Sequence, residues 1–326
     1  MLLDRLDSRA PGIRCYGLTP PKRGLDPDKL AAIASRQMER LSPLDPDGLI
    51  LYDLQEEPGR VPGGRPFPFL PTLEPMEYAG AHLSSLATPR IFYKCVANLD
   101  RDGFRDWLRA FPAHRDACVL VGAPSSGHGG GLSLPEAYAL LAASGAAIRA
   151  GGVAIAERHA RKGDEDQRLF SKYGAGCSFF VTQTVYDADA TKSLLSDYAL
   201  RFAGEGAVMP PILLSFSPCG SLKTVEFMKW LGIAFPRWLE NELRHSPDIL
   251  SRSVDLAARN FGDILEYARE KGVPVGINVE SVSIRKEEID ASCELFRRLS
   301  AIMGEGEPPD PPRKSPPPES GGLFPI

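Results

Sequence analysis

No apolar run in this chain reaches the roughly 18 residues that a membrane-spanning helix needs. No basic run is long enough to form a nucleic-acid surface, and the net charge of −4 with a pI near 5.8 argues against one. The opening residues, MLLDRLDSRAPG, carry acids early and lack an apolar core, so no secretory signal is expected and a cytoplasmic location is. The six cysteines include no CxxC pair, which disfavours a zinc site. Most lie in apolar runs and read as buried thiols; Cys219, after Pro218 in a polar loop, is the exception. No GxGxxG follows the early strands, which weakens a dinucleotide-binding reading of the Rossmann kind.

The apolar segments that are present are short and regularly spaced. Arg14 to Leu18, Leu49 to Leu54, Arg90 to Ala97, Ala117 to Gly122, Val153 to Ala156, Cys177 to Val181, Pro211 to Phe216 and Pro274 to Val279 read as eight strands. Amphipathic helical stretches separate them, and three helices crowd the interval after the seventh strand. Strands near-continuous in apolar residues fit a parallel sheet covered on both faces. The pattern predicts an α/β fold, a (β/α)8 TIM barrel with a helical insertion after strand 7, with an open doubly-wound sheet as the alternative. Residues 1–12 read as an N-terminal extension, 13–303 as the barrel, and 304–326 as a disordered proline-rich tail.

In such a barrel each strand delivers its last polar residues to one rim, where ligands sit. The tips supply Thr19 and Lys22; Asp53, Gln55 and Glu56; Lys94; Ser125 and Ser126; Glu157, Arg158 and His159; Gln183 and Tyr186; Ser217, Ser221 and Lys223; and Glu280 and Ser281. They form no cluster of metal-ligand type. His159 reads either as a structural hydrogen-bonder or as a ligand or proton-transfer group. Gln183 donates and accepts at once, which suits a flat heterocycle with adjacent N–H and C=O groups, such as a pterin; a satisfied rim amide is the other reading. SPCGSLKT opens a helix after a strand, so its backbone N–H groups could meet an anion. Trp230 and Trp238 read as core.

Three stretches carry a family resemblance: Gly151 to Asp187, SPCGSLKT with FMKWLGIAFPRWL, and the first strand with its Pro-Pro turn. Over most of residues 13–303 the chain resembles the methylenetetrahydrofolate reductases. That resemblance implies an eight-stranded α/β barrel. It implies reduction of 5,10-methylenetetrahydrofolate to 5-methyltetrahydrofolate, with FAD in the barrel mouth and NAD(P)H as donor. Carried over by motif, Gln183 matches a folate-contacting Gln, with Tyr186 beside it. Thr224 stands where the family has a second substrate-contacting Gln. His159 and Lys172 match residues lining the flavin, and Ala154 and Glu157 sit in the same motif.

Two departures bear on the chemistry. The family's general-acid Glu on strand 1 is Gly17 here, and its Asp after strand 4 is Ala123. Neither can transfer a proton. Asp53, Glu56 and Glu280 are the candidate substitutes for the missing acid. The expected partner is a small-molecule folate, with no nucleic acid and no membrane, and a homo-oligomer is left open. The alternative to a divergent reductase is a non-redox folate-binding or one-carbon-transfer protein on the same barrel. A third reading is a regulatory protein that contacts its partner through the proline tail.

Overall fold

The structure, a computed structural model, describes residues 1–56, 66–123 and 130–304. The elements run α1 (Leu2–Asp7), β1 (Arg14–Leu18), α2 (Pro27–Leu41), β2 (Gly48–Leu51), α3 (Pro75–His82), β3 (Arg90–Cys95), α4 (Arg101–Ala110), β4 (Ala117–Val121), α5 (Leu134–Ser144) and β5 (Arg149–Ala154). They continue with α6 (Ala156–Lys162), α7 (Glu165–Gly174), β6 (Cys177–Thr184), α8 (Ala188–Gly204), β7 (Ile212–Phe216), α9 (Leu222–Trp230), α10 (Arg237–Arg244), α11 (Ile249–Glu270), β8 (Val275–Val279) and α12 (Lys286–Gly304).

The eight strands pair in sequence order, all parallel, and β1 closes on β8. This is the (β/α)8 barrel that the strand spacing predicts, with α9 to α11 inserted after β7. Side chains alternate along each strand. One set points outward under the helices, as with Leu49, Leu51, Leu120, Phe180, Leu214 and Ile277. The other fills the barrel: Cys15, Ile50, Ile91, Val119, Phe179, Val181 and Leu213. Helix starts are fixed by side-chain caps, among them Asp100 on Gly103, Ser133 in a capping box with Glu136, and Asp187 on Ala190.

Strand 5 starts earlier than its apolar run indicates, at Arg149 rather than Val153. Gly151 and Gly152 hide it in the sequence; the Phe179 ring packs where a Gly151 side chain would stand. The first twelve residues also do more than extend the chain. Leu2, Leu3 and Leu6 of α1 pack into the inner cluster and seal the barrel at its N-terminal end, beside Gly48. Asp7 pairs with Arg149 there, and Arg5 with Asp47. Burial of each leucine is worth roughly 1.5–3 kcal/mol. A third apolar cluster, centred on Met228, Leu239, Leu243 and Leu256, builds the insertion, with Tyr186 and Cys219 inside it.

Trp230 is buried as expected, but Trp238 is half exposed. All six cysteines are buried and unpaired, Cys219 included. No helix among the described residues is long and apolar enough to cross a membrane. The proline-rich tail lies outside the described residues, apart from Gly304.

Candidate functional site

With α1 closing the other end, the open end of the barrel is the one where the strands finish. The inward-facing residues change character there. Ile50 is followed on its face by Tyr52, Ile91 by Tyr93, Leu213 by Ser215, and Gly276 by Asn278 and then Glu280. The Tyr52 and Tyr93 rings meet at 4.8 Å. Asn278 Nδ2 donates to Tyr52 Oη at 2.8 Å and to Ser215 Oγ at 3.1 Å. Tyr52 hydrogen-bonds in turn to Glu280, and Thr184 Oγ1 donates to Glu280 Oε1 at 3.4 Å. Asn278 Oδ1 is buried without a partner among the described residues.

Glu280 is the chemical centre of this arrangement. Burial lifts its carboxyl from the usual 4.5 to about 7, against the opposing pull of hydrogen bonds from Tyr52 and Thr184. It lies against Gly17: a Cβ at that glycine would stand 2.8 Å from Glu280 Cβ and 2.9 Å from Tyr52 Cε2. The space vacated on strand 1 is therefore filled from strand 8. A carboxyl poised near neutral pH can donate a proton or accept a hydrogen bond. Tyr52 and Tyr93 are both held protonated, chiefly by burial and then by the charge of Glu280.

Of the three candidate acids, the geometry brings only Glu280 into this cluster. Asp53 ties β2 to β3, accepting from Cys95 N at 2.9 Å and from Gln55 Nε2 at 2.6 Å. Burial raises its carboxyl too, but both oxygens are engaged. Glu56 is exposed. Lys94 turns outward onto Glu74 and the Trp107 ring.

Three of the residues carried over from the reductase motif, His159, Lys172 and Ala154, stand elsewhere, which corrects the expectation that they line the mouth. His159 lies in α6 among the outer helices, buried, with Nε2 3.0 Å from Asp197 of α8 and Nδ1 4.0 Å from Asp166. Lys172 of α7 packs on the outside of β5 and donates to the Val153 carbonyl at 2.6 Å; burial lowers its pKa. Ala154 faces outward and is fully buried.

Glu157 is buried, its carboxyl raised by desolvation, and it accepts weakly from Ala234 N at 3.4 Å. Gln183 Nε2 donates to the Leu231 carbonyl at 2.6 Å. These two side chains fasten the loop after α9 across the tips of β5 and β6. Tyr186 is enclosed, stacked on Phe235 at 4.2 Å with its hydroxyl on the Ser217 carbonyl. Thr224 is buried on Glu288. Sequence reasoning anticipated polar groups at these tips but could not say which would turn inward.

The flavin implied by the resemblance does not fit this set. Its carried-over contacts His159, Lys172 and Ala154 lie outside the barrel, and Ala123 brings no carboxylate. Among the described residues no cluster of His, Cys, Asp or Glu could hold a metal ion. Sequence reasoning missed Tyr52, Tyr93, Ser215 and Asn278. The period-2 continuation of Ile50 into Tyr52 was the available signal for the first of them.

The fold thus defines a (β/α)8 barrel in which Tyr52, Tyr93, Ser215, Asn278 and Glu280 gather where the strands finish. A solved structure of an uncharacterised protein from Clostridium thermocellum shares this fold at a TM-score of 0.82 and 40% identity, covering 93% of this chain and 100% of that one. That protein is described as binding two copies of 5-methyl-5,6,7,8-tetrahydrofolic acid. The chain belongs to the same family as this protein. Dihydropteroate synthases from Vibrio fischeri and Xanthomonas albilineans overlap far more loosely, at 14% and 12% identity and a TM-score of 0.42 each, over 91% and 90% of this chain. No family model and no curated protein matches the chain.

Proposed function

We propose that this protein binds a reduced folate in the barrel mouth, with the pteridine against Tyr52 and Tyr93 and its polar edge on Glu280, without oxidising or reducing it. One observation carries the reading: the strand-8 carboxyl of Glu280 fills the space at Gly17 and is poised near neutral pH. The pyrimidine half of a reduced pteridine is flat and edged with N–H groups and a ring nitrogen. A carboxyl that exists in both protonation states can accept from the former and donate to the latter. The aromatic wall supplies a stacking face, and Asn278 and Ser215 supply further hydrogen-bonding groups. The binding of 5-methyltetrahydrofolate by the Clostridium thermocellum relative supports the ligand class.

The same observations weigh against a methylenetetrahydrofolate reductase, whose flavin contacts have no counterpart in this mouth. The test is calorimetric titration of 5-methyltetrahydrofolate into the wild type and Glu280→Gln. The expected result is saturable binding that weakens at least tenfold in the variant, about the value of one hydrogen bond to a charged group. Equal affinities would remove Glu280 from the site. Oxidation of NADH or NADPH in the presence of 5,10-methylenetetrahydrofolate would restore the reductase reading.

A further inference from the structure

In (β/α)8 barrels the loop after strand 7 and the N-terminus of the helix that follows are a frequent phosphate-binding position. SPCGSLKT and α9 form that position here, and it is already filled. Glu288, in the first turn of α12, reaches across and is only 1% exposed. Its Oε1 accepts from Gly220 N at 2.6 Å and from Thr224 Oγ1 at 2.9 Å. Its Oε2 is buried with no partner among the described residues. Two further donors of the loop are engaged within the protein: Cys219 N goes to Ser253 Oγ, and Thr224 N goes to Ser221 Oγ. Gly220 itself is shaped for this carboxylate, since a Cβ there would stand 2.7 Å from Glu288 Oε1.

We propose that Glu288 is a specificity-determining residue: its carboxylate stands in for a phosphate at the N-terminus of α9 and excludes phosphate-bearing ligands from this part of the mouth. The physical reason is charge and space together. The partial positive charge of the helix end and the Gly220 N–H is met by the Glu288 carboxyl, and a phosphate would have to displace that side chain from the space it fills against Gly220. The chain is thereby selective for a ligand without phosphate and against flavin and nicotinamide nucleotides seated there. This rests on the reduced-folate reading only for what the mouth accepts; the closure itself stands on the geometry of Glu288.

The experiment is calorimetric titration of inorganic phosphate and pyrophosphate into the wild type, Glu288→Gln and Glu288→Ala, with thermal melts of each in anion-free buffer and in phosphate. Glu288→Ala is expected to bind phosphate at least about tenfold more tightly than the wild type, and its melting temperature is expected to rise with phosphate while that of the wild type does not. Glu288→Gln, which keeps the filling side chain, is expected to gain little. If Glu288→Ala does not fold without anions, phosphate should restore the folded state. A wild type that binds phosphate as well as Glu288→Ala does, a folded Glu288→Ala that gains nothing, or an unfolded one that phosphate does not rescue would each overturn the proposal. Titration of 5-methyltetrahydrofolate into the wild type judges the folate reading separately, because the phosphate outcome does not depend on it.

Discussion

Gly17 and Glu280 face each other across the β1–β8 seam, so close that the structure leaves no room for a side chain at position 17. A methyl group on Gly17 would press on Glu280 Cβ and the Tyr52 ring at under 3 Å. An acid expected on the first strand has its counterpart on the last, and barrel closure makes those two strands neighbours.

That contact predicts the effect of the smallest change. Gly17→Ala should cost on the order of 1–3 kcal/mol through overpacking and should weaken 5-methyltetrahydrofolate binding by displacing Glu280. Denaturant melts and calorimetry read the two effects, and a variant with wild-type affinity would show that the fit of Glu280 against β1 is immaterial to the ligand.

Glu280 also sets a pH dependence of stability. Its folded-state pKa of about 7 lies above the ordinary 4.5, so between those values the folded chain holds a proton that the unfolded chain has released. Stability from this group therefore falls as pH rises through that window, and the loss is complete above about 7. Glu280→Gln should be more stable than the wild type at pH 8, by up to roughly 2–3 kcal/mol, and should show no gain at pH 4. Chemical denaturation at the two pH values checks it.

Tyr52→Phe removes a hydrogen bond that holds the Glu280 pKa down. The carboxyl should then titrate still higher, and the pH midpoint of ligand binding should move upward with it. Carboxyl-carbon NMR titration of the two proteins decides the direction; a downward shift would contradict the assigned hydrogen bond.

Lys172 and His159 should act on stability alone. Lys172→Met keeps the packed stem but loses the bond to the Val153 carbonyl, at a cost of about 1 kcal/mol. His159→Phe breaks the link between α6 and α8. Neither should change 5-methyltetrahydrofolate affinity, and a tenfold loss in either would return that residue to the binding site.

The α1 plug gives the last prediction. Leu6→Ala opens a cavity under the inner core and should cost about 2–5 kcal/mol, measured by urea unfolding, though α1 lies at the opposite end from the mouth.

The alternation of strands and helices that makes the barrel was legible in the sequence. Strand count and parallel pairing are written in short apolar runs alternating with amphipathic helices, because a chain so patterned buries both faces of its strands under a helical coat, while the closure of β1 on β8, rather than an open doubly-wound sheet, is seen only in the structure. The sequence also determined that Gly17 and Ala123 could carry no proton. Apart from Tyr52, whose inward turn follows the period-2 run from Ile50, which polar residue faces where was set by packing. His159, Lys172 and Thr224 stand in motifs that place acids and amides near strand tips, yet one turn of helix or one residue of strand separates the barrel axis from its outer wall. Glu280 and Glu288 are eight residues apart and chemically alike. Only the closure of β8 on β1 and the reach of Glu288 from α12 to the start of α9 give one of them to the mouth and the other to the Gly220 N–H and the Thr224 hydroxyl.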